Sequence, residues 1–388
     1  MSKWPMVCLG DAVTFRGGGT PRKDVAEYWS DEIPWATVKD FKSLELSQTQ
    51  DSISKKGLES SASNLIPAGH VIIPTRMALG KAAINTIDVA INQDLRALVP
   101  KQPIDTAYLL HSMLGLADII ERNGSGATVK GITQQRLSGL QIPLPPLSEQ
   151  RRIAGILDAA NVLRAKRREA LAQLDTLLQS TFLDMFGDPV TNPMGWDVVP
   201  FSELGNLVSG ATPSKARDDY WNGSTPWVSP KDMKVSRILD AQDHVSDSAF
   251  AETNLKLLPD RHLLIVVRGM ILAHSFPVAI NLVPVAINQD MKAIRPSNRF
   301  DLTFLLECIR HLKRKILSGV STAAHGTKRF DGETMKKILV LVPPIDLQRR
   351  FAAIVESVER QKTHMRAHLA ELDALFASLQ SRAFSGTL

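Results

Sequence analysis

Residues 148–186 read SEQRRIAGILDAANVLRAKRREALAQLDTLLQSTFLDMF. No proline interrupts this stretch and no glycine follows Gly155. Ile153, Ile156, Leu157, Ala160, Leu163, Leu171, Leu174, Leu178 and Phe182 recur at helical spacing. The pattern predicts one long amphipathic helix whose apolar stripe suits a partner helix. Pro145-Pro146 leads into it, and Ser148 is the expected N-cap, with Arg151 where a capping box would place Glu. Phe186-Gly187 supplies the stop. At 1.5 Å per residue, about 35 residues make a rod of roughly 50 Å.

The same arrangement returns once. Pro343-Pro344 precedes an expected cap at Asp346, and Phe351, Ile354, Val355, Val358, Met365, Leu369, Leu372, Phe376 and Leu379 form a second stripe that ends at Phe384-Ser385-Gly386. Gln150-Arg151-Arg152 reappears as Gln348-Arg349-Arg350, a shift of 198. Upstream, Thr20-Pro21, Trp29, Pro34-Trp35 and Lys39-Asp40 reappear as Thr212-Pro213, Trp221, Pro226-Trp227 and Lys231-Asp232, a shift of 192. Ile91-Asn92-Gln93-Asp94 reappears as Ile287-Asn288-Gln289-Asp290, a shift of 196. Each repeat fills nearly half the chain, far longer than a solenoid or propeller unit. One molecule therefore presents two related but unequal surfaces, which suggests two related but unequal ligand sites.

Ahead of each rod, over about residues 1–145 and 196–343, the texture changes. Short β-like runs such as Val71-Ile72-Ile73, Leu263–Val267 and Ile338–Val342 alternate with Gly, Pro and Asn turns, and helical periodicity is clear around Ala107–Arg122 and Leu302–Leu317. The expected fold class is α+β: two similar domains, each a mixed, twisted sheet with helices, separated by the two long helices. The expected boundaries are 1–147 and 188–345 for the domains, with 148–187 and 346–388 for the helices. A dimerisation coiled coil is one reading of such rods. Their placement, one after each domain, favours an intramolecular antiparallel coiled coil with an internal pseudo-two-fold axis.

The 388 residues, 44% hydrophobic, suffice for two ordinary cores, and the net charge of +6 is mildly compatible with a polyanionic partner. Cys8 and Cys308 form no metal or disulfide framework, which fits a reducing, cytoplasmic setting. Trp4, Pro5 and Asp11 interrupt any secretory leader, and the apolar run His262–Ile287 carries Arg268, His274 and Asn281, so buried strands are expected there and no membrane span.

Catalytic signatures fail one by one. Gly80-Lys81 has Thr75 where a P-loop needs Gly, and Ala82 where it needs Ser or Thr. Gly124-x-Gly126 has Val129 at the third glycine position. His364 and His368 lie one turn apart, but Met365 occupies the place of the zinc-protease Glu. Neither a Gly-x-Ser-x-Gly elbow nor an Asn-Pro-Pro-Tyr or Asp-Pro-Pro-Tyr segment of base methylation occurs.

Binding is better supported. Trp35/Trp227, the Asn-Gln-Asp turns and the prolines read as scaffold, and Lys39-Asp40 recurs as Lys231-Asp232. The basic residues beside the loops are candidates for phosphate or guanine contacts. In the first half these are Arg16, Arg22 and Lys23 around Gly17-Gly18-Gly19-Thr20, then Lys39, Arg76, Lys81 and Lys130; in the second they are Lys215, Arg217, Lys231, Arg268, Lys328 and Arg329. For any one of them a solvated surface charge is the competing reading.

Taken together, the duplicated Gly-x-Thr-Pro…Trp…Pro-Trp…Lys-Asp opening, the two Ile-Asn-Gln-Asp turns and the exit Ile142-Pro143-Leu144-Pro145-Pro146-Leu147-Ser148-Glu149-Gln150 resemble the DNA-specificity subunits of type I restriction-modification systems. The resemblance spans the chain. It implies a non-catalytic subunit with two target-recognition domains, each reading one half of a bipartite, asymmetric site in double-stranded DNA, and two helices that fix the spacer. It also implies two methyltransferase subunits, which use S-adenosylmethionine, and restriction motor-nuclease subunits as partners, with no cofactor on this chain. The sequence departs from the pattern at Asp346-Leu347-Gln348 and in the loop after Arg268-Gly269, four residues longer than that after Arg76. Where the halves diverge, at 77–90 against 269–286 and 123–132 against 318–330, base-reading residues are expected. A stand-alone DNA-binding regulator, a pure assembly scaffold and a subunit of a related phage-defence modification system are the alternatives.

Overall fold

Val71–Pro74 and Leu263–Val266 are buried at every residue, as continuous apolar runs should be when both faces of a strand are covered. Each is the central strand of a five-stranded sheet. The computed structural model describes residues 3–126, 128–322 and 326–388, and the chain divides into two units, Met1–Glu169 with Arg366–Leu388, and Ala170–Met365.

In the first unit the five-stranded sheet runs in the order Val13–Gly17, Leu95–Pro100, Val71–Pro74, Ala83–Asn85, Glu45–Leu46. Its pairs are antiparallel except the last, which is parallel. A four-stranded sheet follows the order Asp51–Ile53, Ile33–Ala36, Val89–Ile91, Asn64–Ile66, with a parallel pair at its centre. Met6–Cys8 pairs with Gln141–Pro143 beside the exit to the first long helix.

The second unit repeats this topology. Its five-stranded sheet is Gly205–Ser209, Met291–Pro296, Leu263–Val266, Val278–Asn281, Arg237–Ile238. The companion sheet keeps Asp243–Val245, Thr225–Val228 and Ala286–Ile287. Its fourth strand shrinks to a single bridge between Leu258 and Val285. The expected helical regions each split in two, Thr106–Gly115 with Ala117–Arg122 and Leu302–His311 with Lys313–Gly319. Asp105 and Asp301 cap the longer members through their carboxylates.

Both long helices are present, Leu147–Phe186 and Ile345–Ser385. Neither Ser148 nor Asp346 is the N-cap. The carbonyls of Pro146 and Pro344 accept the first helical bonds, from the amides of Gln150 (3.0 Å) and Gln348 (3.2 Å), so each helix starts a turn fraction earlier. Gln150 and Gln348, 1% and 0% exposed, then tie these starts to the domains. The Gln150 side chain donates to Pro145 O (2.9 Å) and accepts from the Asp105 amide (2.9 Å). Gln348 donates to Pro343 O (2.7 Å) and Arg299 O (3.0 Å) and accepts from the Asp301 amide (2.9 Å). The exits follow the expected stop: Gly187 (φ 74°) and Gly386 (φ 80°) occupy the left-handed conformation.

The helices pair antiparallel within each unit. In the first, Arg164 and Arg168 both reach Asp373 (2.6 and 2.9 Å), and Arg152 donates to Leu388 O (3.0 Å). In the second, Lys362, 7% exposed in its side chain, bonds Asp175 (2.7 Å) and Glu359 (2.6 Å), and Phe182 meets Phe351 edge-on. Phe182, Phe186 and Phe351 are fully buried against Phe304 of the domain, so the rod and the second domain share one core.

Candidate nucleic-acid interface

The repeated motifs build a rigid frame. A Cβ on Gly18 would lie 1.9 Å from Ile91 O, and one on Gly210 would lie 2.0 Å from Asn288 O, so only glycine lets this loop press on the neighbouring strand. The next residue donates its amide to the same strand, Gly19 to Ile91 O (3.0 Å) and Ala211 to Ile287 O (2.9 Å). Thr20 and Thr212 bond Gln93 and Gln289 through their hydroxyls. Trp35 and Trp227 donate their indole N–H to Gly19 O (3.1 Å) and Ala211 O (3.0 Å), and stack edge-on with Trp29 and Trp221. Asp40 and Asp232 accept from the backbone of Thr37 and Ser229 and, across the turn, of Gln50 and Gln242. These residues are scaffold in both units.

On this frame sits a loop ladder. Thr75 donates its amide to Asp94 O (2.7 Å) and Val267 to Asp290 O (2.8 Å), which anchors the end of each central strand to the Asn-Gln-Asp turn. The chain beyond pairs with a second loop that is distant in sequence. Met77 N donates to Lys130 O (3.1 Å) and Ile132 N to Thr75 O (2.9 Å). In the second unit Gly269 N donates to Lys328 O (3.0 Å) and Phe330 N to Val267 O (2.9 Å). Register shifts of 192 before, 196 between and 198 after these loops place every net insertion between the halves in these two segments or the strands they feed. Residue 127 and residues 323–325, part of the expected base-reading segments, lie outside the described residues.

The candidate cations divide by position. Arg76, Lys130, Arg268, Lys328 and Arg329 lie on the ladder. Arg76 is exposed and 3.8 Å from Asp94; Arg268 and Arg329 are exposed and bridged through their backbones. Lys328 donates to the Thr322 hydroxyl (2.9 Å). Arg16 is exposed on the adjoining edge strand, opposite Ala97. The remainder, Lys81 apart, follow the edge strands Val13–Gly17 and Gly205–Ser209 or the strands Ile33–Ala36 and Thr225–Val228 of the companion sheets. Lys23, Lys39 and Lys215 are exposed, and Lys231 is 3.8 Å from Asp243. Arg22 is clamped by Asp24 (2.6 Å) and Arg217 by Asp219 (2.7 Å), which raises both guanidinium pKa values and lowers those of the carboxyls. Lys81 turns away to Phe41 O (3.2 Å).

Three cations on the same faces carry no loop signature and were not among the candidates. Arg96 bonds Gln93 O (2.9 Å) and Leu95 O (2.7 Å); burial first, then the Arg76 charge, lowers its pKa. A desolvated cation beside another cation gains from a bound anion. Lys292 replaces it in the second unit, donating to Ser209 Oγ (3.0 Å), and Lys336 stands nearby on the helix Gly332–Lys337. Arg268, Lys292, Arg329 and Lys336 line one cleft of about 460 Å³ floored by Val267, Met291 and Phe330. The Asp331 carboxylate shares the cleft and Lys336 is paired with Glu333 (2.9 Å), which leaves Arg268, Lys292 and Arg329 as the cations suited to phosphates and base edges.

The family model for the type I restriction modification DNA specificity domain matches residues 1–172 and 193–374. The chain belongs to this family. The specificity subunit is 23% identical over 378 residues to the MjaIX specificity subunit of Methanocaldococcus jannaschii, covering 91% of this chain and 86% of that protein. It is 32% identical over 158 residues to the EcoR124I/EcoR124II specificity subunit of Escherichia coli, 40% of this chain and 39% of that one. Its fold is that of the specificity subunit from M. genitalium (TM-score 0.60, 15% identity, 99% and 96% of the two chains) and of a chain of the type I R-M system (TM-score 0.60, 18% identity, 99% and 98%). A specificity subunit is the non-catalytic, DNA-recognising component of a multi-subunit system. Among the described residues no helix is long and apolar enough to cross a membrane.

Proposed function

We propose that each unit of this specificity subunit reads one half of a bipartite, asymmetric DNA site, that the paired long helices set the unread spacer, and that they dock two methyltransferase subunits. S-adenosylmethionine belongs to those subunits, and two restriction motor-nuclease subunits join the assembly. One observation carries this reading: the two units share a frame down to individual hydrogen bonds, while their drift in length concentrates at the loop ladder, among Arg76, Arg96 and Lys130 or Arg268, Lys292 and Arg329. A constant frame with variable cationic loops is what positions a reader on phosphates while changing the bases it reads.

The rod supports the spacer role through its stiffness. At 1.5 Å per residue the 40-residue first helix is about 60 Å long, and the ion pairs to Asp373 and Lys362 fix its register against the second. Mapping methylated bases genome-wide, in cells with and without the chain, tests the whole reading. A split motif that vanishes with the chain is expected, and a contiguous or unchanged motif refutes it.

A further inference from the structure

Both ladders carry a feature that cations do not explain. Met77 follows Arg76 and is 60% exposed; Met270 follows Arg268-Gly269 and is 63% exposed. Among the described large apolar side chains only Leu239, at 65%, is as exposed, and both methionines lie on the ladder, Met270 one residue beyond the position that matches Met77, at the start of the turn Met270–Ala273. Met77 also holds a left-handed backbone (φ 65°), an outlier for a bulky residue, whereas Gly269 fills the matching position at φ 134°. The Met77 amide is pinned to Lys130 O (3.1 Å), as the Gly269 amide is to Lys328 O (3.0 Å), so the ladder enforces the geometry. Backbone strain of this kind persists where surrounding structure over-determines it, often at a binding site.

We propose that Met77 and Met270 are specificity-determining residues that make the apolar base contact of their respective half-sites. The assignment rests on the reading that the ladder faces DNA. Phosphates offer a thioether nothing, whereas thymine methyl groups and base rings match its soft, rotatable surface. The adjoining arginines, Arg76 and Arg268, would hold the backbone or a guanine edge while the methionine reaches the neighbouring pair. An apolar protein partner is a poor match for a methionine set among Arg76, Arg96 and Lys130.

The test uses the full-length chain in its native complex and duplexes carrying the mapped site, the site with one half scrambled, or a fully scrambled sequence. Met77→Gly should lower preference for the first half-site about ten-fold or more, within the range typical for losing one base pair of recognition. Affinity for scrambled DNA should not change and the melting temperature should not fall, because glycine suits the backbone there. Met270→Ala should do the same at the second half-site. An unchanged preference in either variant, or an equal loss on scrambled DNA, overturns the assignment for that unit. Arg76→Ala separates the two levels: if it weakens the first half-site while Met77→Gly does not, only the methionine assignment falls. If neither has any effect on half-site preference, the ladder is not the reading surface.

Discussion

Replacing Gln348 by leucine should detach the second long helix from its domain. Gln348 is fully buried, and its amide joins three backbone groups: Pro343 O, Arg299 O and the Asp301 amide. Leucine fills the same space but satisfies none of them. A buried polar group left without a partner costs about 1–3 kcal/mol. Three such groups come to about 3–9 kcal/mol, a large part of a typical domain's stability of about 5–15 kcal/mol. Gln150→Leu strands two groups, Pro145 O and the Asp105 amide, and should cost about 2–6 kcal/mol. Hydrogen exchange of peptides covering residues 299–306 and 103–110 reads each site separately. A loss of 3 kcal/mol accelerates exchange by about 150-fold where local opening governs it. The Gln348 variant should lose protection at 299–306 and keep it at 103–110, and the Gln150 variant the reverse. Less than three-fold acceleration at the mutated site would show that these glutamines do not hold the helices to the domains.

Other consequences can be checked with simpler variants. Lys130→Ala or Lys328→Ala should weaken binding at one half-site only; equal loss at both in a half-site competition assay contradicts the division of labour. Gly210→Ala would drive a methyl group to within 2.0 Å of Asn288 O and 2.3 Å of Ile287 O; it should destabilise by about 3 kcal/mol or more, read as a lowered melting temperature, and Gly18→Ala should behave alike. Deleting about four residues from 160–180, with a matching four from the second helix, shortens the rod by roughly 6 Å. The accepted spacer should then contract by about two base pairs, and an unchanged spacer in selected binding sites refutes the ruler.

Much of this architecture was legible because the chain states it twice. The long helices follow from uninterrupted apolar stripes, and the scaffold role of Trp35 and Asn92 follows from their recurrence at fixed offsets, whereas that of Asp40 is seen in its backbone bonds. The ends of the helices were less legible. Ser148 has the chemistry of a cap, yet Pro146 takes that place because the buried Gln150 side chain draws the first turn onto the domain, a tertiary effect with no local signature. Each unit has two larger sheets where one mixed sheet was expected, since strands as short as Glu45–Leu46 and Arg237–Ile238 show no alternation to read. At the interface, Arg76 announced itself by its recurrence as Arg268 and Lys130 by its glycine-containing loop, but their pairing through Met77 is a contact across some fifty residues. Arg96 and Lys292 lie inside strands, and only the fold turns them toward the ladder. Their equivalence at the 196 shift was the available clue.

The central claim is that each ladder reads its own half of the DNA site. It is tested most directly by replacing residues 77–90 and 123–132 with residues 269–286 and 318–330, then mapping methylated bases genome-wide in cells whose only specificity subunit is this variant. The account predicts that the first half of the motif changes toward the second while the second half and the spacer stay as they were. A motif unchanged in its first half, or altered in both halves, would contradict it.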